Sequence, residues 1–176
     1  LTVLTTAVVL LAVVTALHLL LTFGLVTRIR ELQQQVAGMP AKDPDLPRFG
    51  RTVASFSVTD LDGDAISEAD LAGPVQVGFF AAGCGPCTTL SDWLAAEPPA
   101  TRFIAFIDGA PSADNTKRLI KKLSPLGRVA LIDPEHPSTL AFGVTSFPTL
   151  MHLDSGVVTA SGSRPSHFTG TPLPVA

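Results

Sequence analysis

The stretch FFAAGCGPCTTL, Phe79 to Leu90, holds both cysteines of the chain, Cys84 and Cys87, with Gly85 and Pro86 between them. Two thiols at this spacing can work as a dithiol–disulfide couple, supply half of a metal site, or close a short structural staple. The apolar run VQVGFF precedes them, and the residues from Gly85 to Ala96 read as a helix with Leu90, Trp93 and Leu94 on one face. A cysteine at the head of a helix meets unpaired backbone N–H groups and the positive end of the helix dipole, which favour its thiolate. The second cysteine lies one turn on, close enough to form a disulfide. Pro86 falls in the first turn, where its missing N–H costs little, and Gly85 leaves the first sulfur sterically open. A structural zinc site takes four ligands, whereas His136, His152 and His167 are scattered and show no ligand spacing. A staple across so short a loop removes little chain entropy. The redox reading is the strongest of the three.

A second stretch, TSFPTL, places Phe147-Pro148 just before a predicted strand. Proline is awkward inside a paired strand. A cis bond at the strand's start would resolve this and leave the Phe147 backbone free to pair with an extended peptide; a trans turn is the alternative. A third stretch, DLDGDAISEADL, resembles a calcium loop only at first sight. Counting from Asp60, Ala65 stands where such a loop has Gly, and Leu71 where it has Glu. The cluster is read as a solvated hairpin tip.

These residues need a scaffold. VASFSVTDLDGDAIS alternates and turns at Asp62-Gly63, predicting a β-hairpin, and Ser67-x-x-Asp70 predicts a helical turn after it. VQVGFF, RFIAFID and RVALID predict three buried strands. SADNTKRLIKKL predicts a helix with Leu119, Ile120 and Leu123 on one face. PSTLAFGV predicts a short helix between Pro137 and Gly143. TLMHLD, a Ser155-Gly156 turn and VVTAS predict a closing hairpin. Strands alternate with helices and an antiparallel pair follows, so the predicted class is α/β with a mixed sheet. The tail GSRPSHFTGTPLPVA has no helical period and is expected to be loose.

The chain is 46% hydrophobic and 15% charged, and the apolar excess is concentrated at its start. From Leu1 to Thr27 there is no Asp, Glu, Lys or Arg, a run longer than the ~20 residues that span a bilayer. Residues 1–27 are expected to form an uncleaved transmembrane helix. His18 within it is read as a neutral imidazole bonded to a backbone carbonyl or a partner helix, the alternative being a functional intramembrane group. Residues 28–50 are expected to continue as a juxtamembrane helix and then a stiff Pro-rich linker, PAKDPDLPRFG. Residues 51–162 then form the soluble domain and 163–176 the tail. Arg28 and Arg30 follow the apolar run with no positive charge before it, and the positive-inside rule alone would put the domain in the cytoplasm. Net charge is −3 and no basic stripe carries interleaved aromatics, which argues against nucleic acid as a partner.

CGPC after an apolar strand, then FGVTSFPTL, then a glycine hairpin, resembles the thioredoxin superfamily. ASFSVTDLDGDAISEADLAG looks like the N-terminal hairpin of the TlpA/ResA type, and LIDPEHPSTLAFGV resembles the insertion these proteins share with peroxiredoxins. A membrane anchor suits that type and the MauD-like branch. The resemblance covers roughly Val53 to Ser161. It implies a thioredoxin-like fold with an N-terminal hairpin, preceded by one transmembrane helix. It implies an attacking thiolate at Cys84, a resolving thiol at Cys87 and a substrate-docking cis-Pro148 beside Phe147, with no cofactor. It also implies a domain outside the cytoplasmic membrane, against the charge of Arg28 and Arg30. The expected function is a membrane-tethered thiol–disulfide oxidoreductase that reduces client disulfides. Its partners would be a client protein, membrane lipid and a membrane electron donor of the CcdA or DsbD kind. The alternative is a non-enzymatic thiol-dependent chaperone or copper-delivery module. A peroxidase is a weaker match, because Ala81 stands where peroxiredoxins have Thr.

Several positions depart from the thioredoxin pattern. Gly78 replaces the buried Asp, Gly83 the Trp before the first cysteine, and Ile104 the nearby Lys. The usual C-terminal helix is not visible after Ser161. With no acid at position 78, release of a mixed disulfide by Cys87 is expected to be slow, or to use water entering the gap that glycine leaves.

Overall fold

The computed structural model describes residues 46–133 and 135–168, together with positions 6, 10, 11, 14, 15 and 18. The chain divides into two units, Leu1–Lys42 and Asp43–Ala176. In the first, the six described positions are helical, and His18 Nδ1 lies 3.3 Å from the Val14 carbonyl oxygen. Among the described residues no helix is long and apolar enough to cross a membrane. The expected span at 1–27 falls largely outside them, and the predicted juxtamembrane helix and most of the Pro-rich linker fall outside them as well.

The second unit begins earlier than position 51. Ser161 Oγ donates to the Pro47 carbonyl, and Gly50 N–H donates to the Val158 carbonyl. The predicted hairpin forms from β1 (Ser57–Thr59) and β2 (Ala65–Ser67). Its turn is held by Asp60 Oδ1, which accepts from the N–H groups of Asp62 and Asp64. A 3-10 turn, Glu68–Leu71, follows with the capping box that Ser67 and Asp70 announced. The acidic cluster divides: Asp62 and Asp64 are exposed, as expected of a solvated tip, whereas Asp60 and Asp70 meet a cation. Arg128 Nε and one terminal nitrogen each lie 2.8 Å from the carboxylates of Asp60 and Asp70, and the other bonds the Ala65 carbonyl. The Asp60 side chain is only 3% exposed. A cation from a distant strand, invisible to local spacing, clamps the hairpin to the sheet.

That sheet has five strands in the order β5-β4-β3-β6-β7. β3 (Pro74–Ala81), β4 (Arg102–Asp108) and β5 (Arg128–Ile132) are parallel, while β6 (Thr149–Asp154) and β7 (Val157–Gly162) run antiparallel. The mixed α/β sheet read from the sequence is therefore present. The crossovers are α1 (Gly85–Ala96) and α2 (Asp114–Leu123); the short α3 (Pro137–Phe142) ends at Gly143 in the left-handed conformation. Alternate residues of β3 feed two cores. Val75, Val77 and Phe79 face the hairpin and α3, where Phe56, Phe79, Phe106 and Phe142 stack or meet edge to face. Phe80 faces α1 and α2, among Leu90, Leu94, Leu119 and Leu123.

The carboxy-terminal tail was expected to be loose. Its first part instead folds back through a 3-10 turn, Pro165–His167, and Phe168 stacks on Trp93 and meets the His152 ring. A single aromatic anchor does this without any helical period. Residues 169–176 lie outside the described residues.

Candidate active site

Strand β3 is apolar but for the buried Gln76 and delivers the chain to the carboxyl edge of the sheet, where Ala82 N–H donates to the Asp108 carbonyl of β4. Gly83 then turns with φ +82°. An L-residue there would be strained, and its Cβ would sit 3.4 Å from Asn115 Nδ2. This local geometry suits glycine at the position where thioredoxins carry Trp.

Cys84 is the N-cap of α1, with Gly85 and Pro86 as the first helical residues. Its Sγ accepts from the Cys87 N–H at 3.2 Å. Helix start and sulfur are thus coupled as the sequence implied: an N–H that lacks an intrahelical partner points at the sulfur that would carry negative charge. Cys84 and Cys87 are joined as a disulfide, with Cα atoms 5.2 Å apart. The two sulfurs differ in access. Cys84 is partly exposed, whereas Cys87 is fully buried. Cys87 Sγ accepts from the Ala81 N–H at 3.4 Å and otherwise sits in the core of Phe80, Leu90, Leu94, Phe103 and Leu150.

Phe147 and Pro148 lie far away in sequence but arrive beside this pair. The Phe147-Pro148 bond is cis, and the Phe147 carbonyl oxygen is 3.8 Å from Cys84 Sγ. In the disulfide there is no S–H to share; in the dithiol, Cys84 could donate to that oxygen. Pro148 is buried and Phe147 partly so, packed between the two cores. Cys84, Gly85, Pro86, Cys87, Phe147 and Pro148 therefore come together beyond the carboxyl end of β3.

The expectation about Gly78 needs correction. A Cβ at that position would lie 2.6 Å from Phe80 Cε2 and 3.3 Å from Leu150 Cδ1. The volume of the missing acid is filled by a phenyl ring, so glycine leaves no gap for water. Sequence reasoning missed this because Phe80 was read only as a core residue of the same strand. Gly78 and Phe80 share a face at a spacing of two, which was the available signal. Carboxylates do stand at this end of the sheet: Asp108, whose pKa is raised by burial and by the charge of Asp133, and Asp133 itself. The sequence had assigned both only to strands.

Nothing in the spacing of α2 marks it as a neighbour of the cysteines. Its apolar residues were legible, but not that Asn115 and Arg118 would line a groove with Gly83 and Gly85.

No protein-family model matches the chain, and no curated protein matches it in sequence. Solved structures do resemble it. The chain is similar to the thioredoxin domain of a thiol-disulfide oxidoreductase from Bacteroides vulgatus, at 19% identity and a TM-score of 0.57, over 68% of this chain and 91% of that one. It is similar to a thiol:disulfide interchange protein from Bacteroides sp., at 18% identity and a TM-score of 0.55, over 70% and 86%. It is also similar to a thio-disulfide isomerase from Thermus thermophilus, at 21% identity and a TM-score of 0.52, over 65% and 85%. The likeness is one of fold, and with the observed strand order and helix placement it identifies the domain as thioredoxin-like.

Proposed function

We propose that the chain is a membrane-tethered thiol–disulfide oxidoreductase whose domain lies outside the cytoplasmic membrane and reduces client disulfides. The observation that carries the thiol–disulfide chemistry is the Cys84–Cys87 bridge at the head of α1, with the Phe147 carbonyl 3.8 Å from the more exposed sulfur; the tether and the outside location rest on the uncharged run from Leu1 to Thr27 and on the resemblance. Solved structures of this fold that carry the name thiol-disulfide oxidoreductase lend support. Starting from the dithiol, the Cys84 thiolate attacks one sulfur of a client disulfide. A Cys84–client disulfide forms and the other client sulfur leaves as a thiolate, which takes up a proton. Cys87 loses its proton and attacks Cys84 Sγ, so the Cys84–Cys87 disulfide forms and the second client thiol departs. Two electrons pass from the enzyme dithiol to the client, and the enzyme is left oxidised. A membrane donor of the CcdA or DsbD kind would return those electrons. The apolar core around Cys87 disfavours its thiolate, which slows the second step.

The test is insulin-disulfide reduction by the full chain, driven by dithiothreitol. Cys84→Ser and Cys87→Ser should both lose turnover, and Cys87→Ser should accumulate a mixed disulfide through Cys84. Turnover retained by Cys84→Ser, or stoichiometric copper on the purified chain without turnover, would overturn the reading. Orientation has its own assay. Protease added to intact spheroplasts should remove the domain; protection until lysis would place it in the cytoplasm, as Arg28 and Arg30 suggest.

A further inference from the structure

Beside the disulfide lies a groove of about 280 Å³ whose lining mixes polar side chains with Leu119 and two glycines. Gly83 and Gly85, the chain neighbours of Cys84, line it with Thr88; Asn115, Arg118 and Lys122 of α2 line it as well. α2 carries four cations, Lys117, Arg118, Lys121 and Lys122, against the single carboxylate of Asp114, in a chain whose net charge is −3. These cations are not equally engaged. Lys122 Nζ is 2.5 Å from Asp92 of α1, and Lys117 lies 4.0 Å from Asp114. Arg118 donates to the side-chain oxygen of Asn115 and pairs with no carboxylate among the described residues. A guanidinium has five N–H donors in a planar fork suited to a carboxylate. Most of those of Arg118 remain available on an exposed side chain.

The Phe147 carbonyl is in contact with Cys84 Sγ, and Gly83 and Gly85 border the groove. Gly83 and Gly85 flank Cys84 in the chain, so the groove that Arg118 lines adjoins the sulfur that a client cysteine must reach. We propose that this groove is a subsite for an acidic side chain next to the client's cysteine, engaged by Arg118. The proposal rests on the oxidoreductase reading and names the class of client it favours: cysteine peptides flanked by Glu or Asp. An exposed ion pair adds little affinity, so the subsite acts chiefly by steering the encounter and selecting among clients.

The experiment uses the reduced full chain and symmetric disulfides of blocked tetrapeptides, Gly-X-Cys-Gly and Gly-Cys-X-Gly, with X as Glu, Gln or Lys. Each rate is divided by the rate of the same disulfide with dithiothreitol, a neutral dithiol, which removes the effect of X on the intrinsic reactivity of the peptide sulfur. In at least one series the normalised rates should fall in the order Glu, Gln, Lys. The Glu-to-Lys ratio should be about five- to tenfold at low salt and approach one near 1 M. Arg118→Gln should bring the ratio below about twofold. Lys121→Gln removes the same charge from an exposed position of the same helix outside the groove, and should retain most of it. Equal normalised rates for the three peptides in both series would overturn the subsite while leaving the activity intact. So would a ratio lowered equally by both substitutions, which would mark a diffuse field rather than a site. If no peptide disulfide consumes enzyme dithiol, the oxidoreductase reading itself falls, and the subsite with it.

Discussion

Substituting Gly78 by alanine should destabilise the domain, although glycine within a strand is ordinarily the poorer residue. Replacing it normally returns about 0.5–1 kcal/mol through backbone entropy. Here the added methyl would stand 2.6 Å from Phe80 Cε2, 3.0 Å from Cζ and 3.3 Å from Leu150 Cδ1. Carbon atoms rest at about 3.5–4.0 Å, so the phenyl ring must retreat by about 1 Å. Both neighbours are fully buried within one apolar cluster, and such overpacking costs about 1–3 kcal/mol. The net expectation is a loss of about 1–2 kcal/mol, read as a lower denaturation midpoint at unchanged slope. The control is a double-mutant cycle with Phe80→Leu. Removing the ring should relieve the clash, so that the pair costs less than the sum of the single changes by at least about 0.5 kcal/mol. A Gly78→Ala protein as stable as the parent would refute the reasoning, as would strict additivity with Phe80→Leu. Gly78→Asp should lose more, because the carboxyl would enter the same filled volume with no hydrogen-bond partner in that apolar cluster. It is therefore not expected to restore a proton acceptor for Cys87.

After reduction, an alkylating agent at mildly acidic pH should label Cys84 before Cys87, since only Cys84 is both accessible and supported by a helix-terminal N–H; peptide mapping that finds Cys87 labelled first would reverse their roles. Arg128→Ala should cost about 2 kcal/mol in denaturant unfolding, because it removes the ion-pair partner of Asp60, a side chain itself a third exposed, and leaves the Asp60 carboxylate its two N–H donors. A loss under about 1 kcal/mol would show that the Asp62 and Asp64 N–H groups suffice. Burial opposes ionisation of Asp60, but its bonds to Arg128 and to the Asp64 and Asp62 N–H groups outweigh this and lower its pKa. Its contribution to stability is therefore complete above the usual carboxylate range, near pH 4, and is lost as pH falls through the lowered value. Stability measured from pH 5 to pH 2 should fall less steeply in Arg128→Ala than in the parent.

Much of this domain was legible because its signals are local. Asp62-Gly63 and Ser155-Gly156 announce turns through backbone conformation, and Ser67 with Asp70 announces a capped turn. Gly85, Pro86 and the two cysteines announce a strand-to-helix junction with Cys84 at the helix head. Each of these depends on dihedral preference or on groups within one turn of one another, which neighbouring residues suffice to specify. Other features depend on strand order and register. The sheet order β5-β4-β3-β6-β7 puts β6 next to β3, and so carries Phe147 across 63 positions of sequence to Cys84. The hairpin crosses to β5, where Arg128 draws Asp60 and Asp70 into a clamp and leaves Asp62 and Asp64 at the solvated tip. Phe168 returns over Trp93 with no periodicity to foretell it. Phe80 takes the volume that Gly78 leaves, closing a site at which the sequence suggested water. These contacts are chosen by how whole faces bury against one another. A residue's type limits what it can bury or bond, but only the packed sheet decides which distant partner it meets.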